Sequence, residues 1–204
     1  MLVLEGPVWL MQPIPYWGEE LTGEWIYEPK YDGWRLQVIR YLDGRVELWG
    51  RRLEKKPNWT ERLESLSEGA GEFLPKGILL DAELCSDRGR DFVISLFAEK
   101  PRAKPLVYVF DVVFYDGKFV GDLPLRERKE ILGKLRFSEP FFVVKGERLK
   151  DLREALASTL QKGHEGIVIK GTGSPYELGQ DGPIATVHWR KIKGTLYGPQ
   201  KREG

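Results

Sequence analysis

The run WRLQVIRYLDGRVELWGRR, residues 34–52, constrains the fold more than any other stretch. It reads as two strands joined at Asp43-Gly44, and an Asp-Gly pair between strand-forming runs is the strongest short-range hairpin signal. Further apolar strand runs follow: GILLDAELC, then LVYVFDVVFYDGKFV, which closes on a second Asp-Gly pair at Asp116-Gly117, and finally EGIVIKG and TVHWRKIKG. A short strand over 24–29 leads into KYDG. Helices are fewer. NWTERLESLSEG reads as a helix with Asn58 as N-cap and Glu61 three residues on, stopping at Gly69. LPLRERKEILGKLR is a second. In KDLREALASTLQKG, residues Leu152, Ala155, Leu156, Thr159 and Leu160 fall on one helical stripe, and Gly163 supplies the stop. Strand clusters with solitary, non-alternating helices predict an α+β fold with largely antiparallel sheets.

The chain of 204 residues shows no repeat, low-complexity tract or Gly/Ser linker, so it is expected to form one continuous domain over 1–204, with 195–204 a flexible tail. Lys and Arg number 32 against 31 Asp and Glu, so any surface for a polyanion must be a local patch. Cys85 is the only cysteine, which excludes an internal disulfide or a multi-cysteine zinc site and fits a reducing, cytoplasmic setting. No stretch reaches the ~18 apolar residues of a membrane span. Asn58 is the only asparagine, and Met and Cys are sparse while Lys, Arg and Glu abound, a composition that points to a thermophile.

The chemistry concentrates around Lys30. It lies in IYEPKYDGWRLQV beside Tyr31 and Trp34, in a stretch that otherwise favours a strand, where an ammonium is costly to desolvate. Lys30-x-Asp32-Gly33-x-Arg35 on its own is also compatible with a charged Asp-Gly turn. Other stretches accompany it in order. LLDAELC places Asp81 and Glu83 on one strand face, as two carboxylates able to hold a hydrated cation. FDVVFYDG offers Phe110, an aromatic beside a charge, and EGIVIK carries Glu165 and Lys170 at its two ends. HWRKIK puts Lys191 and Lys193 on one face with Arg190 opposite. His164 and His188 have no metal-ligand spacing and are taken as structural or surface residues.

Set together, EPKYDGWR, GRR, LDAEL, FDVVFYDG, EGIVIK and HWRKIK resemble the nucleotidyltransferase domain of ATP-dependent DNA ligases, and most of all the ligase component of bacterial non-homologous end joining. The likeness runs from about Pro13 to Lys193. It implies an ATP-grasp-like domain of two mainly antiparallel sheets flanked by helices. It also implies three phosphoryl transfers, in which a lysine takes AMP from ATP, AMP passes to a DNA 5′-phosphate, and a 3′-hydroxyl displaces it. Lys30 would be the nucleophile, with Lys191 and Lys193 as the cations that lower its pKa and neutralise the α-phosphate. The same resemblance gives the ribose to Arg35, adenine stacking to Phe110, the adenine edge to Glu28 and a phosphate-facing place to Lys170. Glu83 and Glu165 would support Mg²⁺ or Mn²⁺. Arg51, with Arg52 as the alternative register, would grip the 5′-phosphate of nicked or broken duplex DNA. Asp32 would brace the loop that presents Lys30.

Two departures stand out. The family continues into an OB-fold domain, which these 204 residues lack, so the chain is expected to be an excised catalytic domain or a minimal protein that takes its second domain, or an end-joining partner, in trans. Gly50 stands where many relatives have serine. An RNA ligase or mRNA-capping guanylyltransferase shares the covalent lysine and is the nearest alternative. A non-catalytic nucleic-acid-binding module is the other.

Overall fold

The computed structural model describes residues 2–194. The tail expected over 195–204 lies outside the described residues. In chain order the elements are β1 (Trp9–Leu10), β2 (Gln12–Pro15), β3 (Trp25–Pro29), β4 (Trp34–Arg40), β5 (Val46–Gly50), α1 (Glu64–Phe73), β6 (Ile78–Ser86), β7 (Pro105–Tyr115) and β8 (Lys118–Phe119). They continue with α2 (Leu125–Lys134), β9 (Phe141–Val143), β10 (Glu147–Arg148), α3 (Leu152–Gln161), β11 (Gly166–Gly171), β12 (Leu178–Gly179) and β13 (Ala185–Lys193). Short 3₁₀ segments cover Leu53–Lys55, Glu61–Leu63 and Arg90–Phe97.

The predicted hairpin is β4 and β5, paired antiparallel from Leu36↔Gly50 to Arg40↔Val46. It anchors the edge of a six-stranded sheet in the order β5-β4-β6-β7-β8, with β9 alongside β7. A second sheet runs β10-β3-β11-β13-β2, and β1 pairs with β12 on their own. Most pairings are antiparallel; β13 with β2 and β7 with β9 are parallel. The chain is therefore α+β with two large sheets, as the sequence predicts.

The two-residue period sorts side chains into layers. On the outer face of the six-stranded sheet, Leu36, Val38, Leu80, Ala82 and Leu84 pack against Leu66 and Ala70 of α1 and Leu132 of α2. On the outer face of the five-stranded sheet, Ile167, Ile169 and Ile192 pack against Ala155 and Leu156 of α3. Between the sheets, Met11, Ile39, Leu79, Phe114, Tyr176 and Trp189 form a third cluster. Beside that cluster the inner faces stay apart, and the polar residues of β3, β4, β6, β11 and β13 meet there.

α3 follows its prediction: Asp151 caps it, its side chain accepting from Glu154 N at 2.8 Å, and Gly163 N closes on Leu160 O. α1 does not. Asn58 bridges to Trp49 and its Oδ1 accepts from Thr60 N and Oγ1, so it shapes a turn ahead of the helix instead of capping it. The helix then runs through Gly69 to Phe73, because Leu66, Ala70 and Leu74 continue the buried stripe and override a glycine on the exposed side.

Candidate active site

A cleft of about 590 Å³ opens between the two sheets. The five-stranded sheet contributes Glu28, Val168, Lys170, Trp189 and Lys191, with Lys30 directly after β3. The six-stranded sheet contributes Trp34, Arg35, Gly50, Glu83 and Phe110, and Arg51 and Arg52 follow β5. Of the residues given a site role from the sequence, Asp32, Asp81, Glu165 and Lys193 stand outside this lining; Glu165 and Lys193 join it through Lys30, whose Nζ pairs with Glu165 Oε2 while Lys193 Nζ takes Oε1.

The turn carrying Lys30 is held from four directions. Lys30 N donates to Gly166 O at 2.8 Å, Tyr31 stacks on Tyr108 with ring centroids 3.7 Å apart, and Gly33 N donates to Glu83 Oε1 at 3.2 Å. Asp32 pairs with Arg90 across the rim, and so braces the loop through a partner that the sequence does not reveal. Gly33 is required on steric grounds, since a Cβ there would lie 2.2 Å from Leu84 O. His164 is a packing residue, edge-on to Tyr31.

Several predicted roles change once the geometry is known. Lys191 and Lys193 are expected beside Lys30 as destabilising cations; instead a carboxylate, Glu165, stands between Lys30 and Lys193. Burial raises the pKa of Glu165, but its hydrogen bonds from Lys193 and Lys30 outweigh this and hold it below the usual carboxylate range. Asp81 shares a strand face with Glu83, as expected, but cannot hold a hydrated cation. It is fully buried in a central strand, bonded through both oxygens to Arg35 Nε and Nη2, and Tyr176 Oη donates to it at 2.5 Å. Arg35 Nη2 also donates to Met11 O at 3.1 Å, so Nη1 is the part of Arg35 left for a ligand. Glu83, facing the cleft, is pushed up to about 7 by burial, against the pull of Arg35 and Lys30.

Lys170 is expected to face a phosphate. Instead it is buried, pairs with Glu28 Oε2 at 2.7 Å, and its Nζ lies 3.9 Å from the Trp189 ring and 4.6 Å from the Phe110 ring. Burial pushes its pKa down to about 8, with Glu28 opposing the shift. The other oxygen of Glu28 pairs with Lys129 of α2, which also donates to Val144 O at 3.1 Å. Sequence reasoning misses Lys129 because it sits in a helix whose charges read as surface, and only the packing of α2 against β7 brings it to Glu28. Phe110 has a second cation on its ring, Arg35 at 4.7 Å. Lys191, Arg51 and Arg52 have no ion pair among the described residues.

Residues 12–193 match the family model of the ATP-dependent DNA ligase domain. The chain is 36% identical over 184 residues to a probable DNA ligase of Streptomyces coelicolor, covering 81% of this chain and 34% of that protein. It is 34% identical over 201 residues to the multifunctional non-homologous end joining protein LigD of Pseudomonas aeruginosa, covering 90% of this chain and 23% of that one. Among solved structures, mycobacterial DNA ligase D complexed with ATP and MES shares the fold at a TM-score of 0.67 and 22% identity, over 91% of this chain and 60% of that one. The chain spans 32% of the Archaeoglobus fulgidus DNA ligase and 60% of a prophage-derived ligase-like protein of Bacillus subtilis. With nearly its whole described length inside that family model, the chain belongs to the ATP-dependent DNA ligase domain family.

Proposed function

We propose that the cleft binds ATP, that Lys30 takes AMP from it as a covalent lysyl-AMP, and that the AMP passes to the 5′-phosphate of nicked or broken duplex DNA. One observation carries this reading: Lys30, the one lysine in the cleft hydrogen-bonded to an open carboxylate, faces a concavity lined by Glu28, Phe110, Lys170 and Lys191. In the first step a bond forms from Lys30 Nζ to the α-phosphorus and the α,β-bridging oxygen leaves with pyrophosphate. The ammonium must first leave Glu165, whose carboxylate favours its charged form, and lose a proton to water. Lys191 and Lys193 offset charge at the phosphoryl group, where positioning and electrostatics do most of the catalysis. Arg35 reaches the ribose through Nη1, Phe110 supports the adenine ring, and Glu28 with Lys170 meets its edge.

The metal the family implies finds a matching donor set in Glu83 and Glu165, two carboxylates suited to a hard cation. Among the described residues no group of three or more His, Cys, Asp or Glu surrounds a common point, so the protein supplies few ligands and most would be water and phosphate oxygen. Bound Mg²⁺ or Mn²⁺ would neutralise phosphate charge. An OB-fold domain or an end-joining partner completes the reaction in this reading, in a cytoplasm and at elevated temperature. No described helix is long and apolar enough to cross a membrane.

The test is intact-mass spectrometry after incubation with ATP and Mg²⁺, with GTP alongside and Lys30→Ala as control. One added AMP, absent with GTP and absent in the variant, is expected. Labelling from GTP points to a capping-type enzyme instead. DNA affinity that falls steeply with salt, without any adduct even after an OB-fold domain is added, points to a binding module.

A further inference from the structure

Arg35 is held by two acceptors, Asp81 and Met11 O, and a residue behind the cleft completes the arrangement. Tyr176 lies in the segment between β11 and β12, on the five-stranded side, 2% exposed and outside the lining. Its hydroxyl crosses to the six-stranded sheet and donates to Asp81 Oδ2 at 2.5 Å, the oxygen that also takes Arg35 Nη2. Asp81 is fully buried in β6, so an oxygen there that loses a donor finds no water to replace it. Burial pushes the Asp81 carboxyl up, toward its neutral form, while Arg35 and the Tyr176 hydroxyl oppose the shift and favour the anion that Arg35 needs. Burial first, then the charge of Asp81, hold the Tyr176 hydroxyl itself well above the usual phenol range, so it stays a donor. The ring is placed as firmly as the hydroxyl. Tyr176 N donates to Gly121 O at 2.8 Å, and the turn before it is fastened by Arg128, which donates to Ser174 O at 2.9 Å and to both oxygens of the buried Asp111. The Tyr176 ring meets Trp189 edge to face with centroids 5.7 Å apart, and Trp189 meets Phe110 in the same way at 6.2 Å. Tyr176 therefore reaches the support of Arg35 through its hydroxyl and the wall behind Phe110 through its ring.

Resting on the proposed reading of the cleft as an ATP site, we infer that Tyr176 is a positioning residue for recognition of the ribose: its hydroxyl fixes Asp81, Asp81 takes Nε and Nη2 of Arg35, and Nη1 is thereby turned toward the sugar. A guanidinium is planar, so fixing two of its nitrogens fixes the direction of the third. The carboxylate torsion of an aspartate is soft, so without the hydroxyl Asp81 can turn, and the fork turns with it. Among the described residues Tyr176 makes no hydrogen bond or ring contact with Lys30, Glu165, Lys191 or Lys193, so the groups around the phosphate do not depend on it directly.

The experiment measures calorimetric binding of ATP, 2′-deoxy-ATP and 3′-deoxy-ATP to the full chain in a Lys30→Ala background, where covalent transfer cannot intrude. Lysyl-AMP formation from saturating ATP is read separately, by intact mass, with Lys30 in place. A site that hydrogen-bonds a sugar hydroxyl rejects the analogue lacking it, so with Tyr176 present ATP should bind at least ~10-fold tighter than one of the two deoxy analogues. Tyr176→Phe removes one hydroxyl and keeps the ring; it should weaken ATP binding by ~10-fold and bring that ratio below ~3. The rate at saturating ATP should stay within ~3-fold, as expected when binding is lost equally from ground state and transition state. Leu156→Ala, in the core on the outer face of the five-stranded sheet, destabilises the chain without touching this network and should keep the ratio. A ratio that survives Tyr176→Phe, or one that falls equally in Leu156→Ala, overturns the assignment. So does a ratio near one with Tyr176 present, which would take Arg35 off the ribose. Binding of ATP without any adduct when Lys30 is in place would sink the proposed reaction and leave the ratio standing as the test of Tyr176, whereas no binding of ATP at all would sink both.

Discussion

Two lysine–glutamate–lysine sets share the cleft region, and they differ almost only in burial. Glu28 lies between Lys129 and Lys170, and Glu165 lies between Lys30 and Lys193. The side chains of Glu28 and Lys170 are 3% and 2% exposed, whereas those of Glu165, Lys30 and Lys193 are 24%, 21% and 47% exposed. Away from water, Glu28 or Lys170 cannot move without leaving an uncompensated charge, so that pair is fixed in place, with Lys129, 17% exposed, at its edge. At the rim, water replaces a departing partner at little cost, so the second set can open. A surface that recognises a base needs the first property. A nucleophile that must leave a carboxylate to reach a phosphorus needs the second.

The largest expected effect breaks the open set chemically. Lys30→Ala should abolish the AMP adduct completely in intact-mass spectrometry while changing stability by less than ~1 kcal/mol, since a half-open ion pair contributes little to folding. Lys170→Met should do the reverse. It leaves Glu28 with Lys129 alone and should cost roughly 3 kcal/mol in urea unfolding at unchanged m-value, as expected when one partner of a buried charge set is removed. If the two variants lost similar stability, burial would not distinguish the sets.

Much of this is legible in the sequence, and what is not has a common cause. The Asp43-Gly44 hairpin, the α3 stripe and the face shared by Lys191 and Lys193 follow from local periodicity, and the fold bears out the hairpin and the stripe. Motif order brings Glu28, Lys30, Arg35, Glu83, Phe110, Lys170 and Lys191 to one cleft. Pairing partners are not legible. Asp81 reads as a metal-facing carboxylate because nothing local shows that Arg35 reaches it from the neighbouring strand, with Tyr176 arriving from 95 residues away. Lys129 and Arg90 escape notice because each is one cation among several in a charged stretch, and only tertiary packing gives them Glu28 and Asp32. Trp59 over Gly50 is hidden for the same reason, although the unusual glycine is its signal.

pH separates the two sets further. In the folded chain, burial pushes Lys170 down to about 8, below the unfolded value near 10.5. Between those values the unfolded state binds more protons, so stability rises with pH. Below about 8 the cost of the buried ammonium is fully present, and it is relieved as pH climbs toward 10. From pH 7 to pH 10 the wild type should therefore gain roughly 2 kcal/mol relative to Lys170→Met, read as the difference between their urea unfolding free energies. A flat difference across that range would mean that Lys170 is charged or neutral alike in both states, and that Glu28 has another anchor.

The smallest effect sharpens the comparison most. Lys193 is nearly half exposed, so its pair with Glu165 should contribute at most a few tenths of a kcal/mol, and nothing measurable at ~0.5 M salt. Lys193→Met should thus leave the unfolding curve almost unchanged. Its effect should appear instead in the rate of lysyl-AMP formation, reduced at least ~10-fold as expected when one electrostatic stabiliser of a transition state is removed. A residue that is invisible to stability and visible to rate spends its charge on the reacting phosphate. If Lys193→Met instead destabilised the chain by ~2 kcal/mol, on the scale of a damaged buried charge set, the open set would be a folding element like its buried counterpart and Lys30 would lose its claim to mobility.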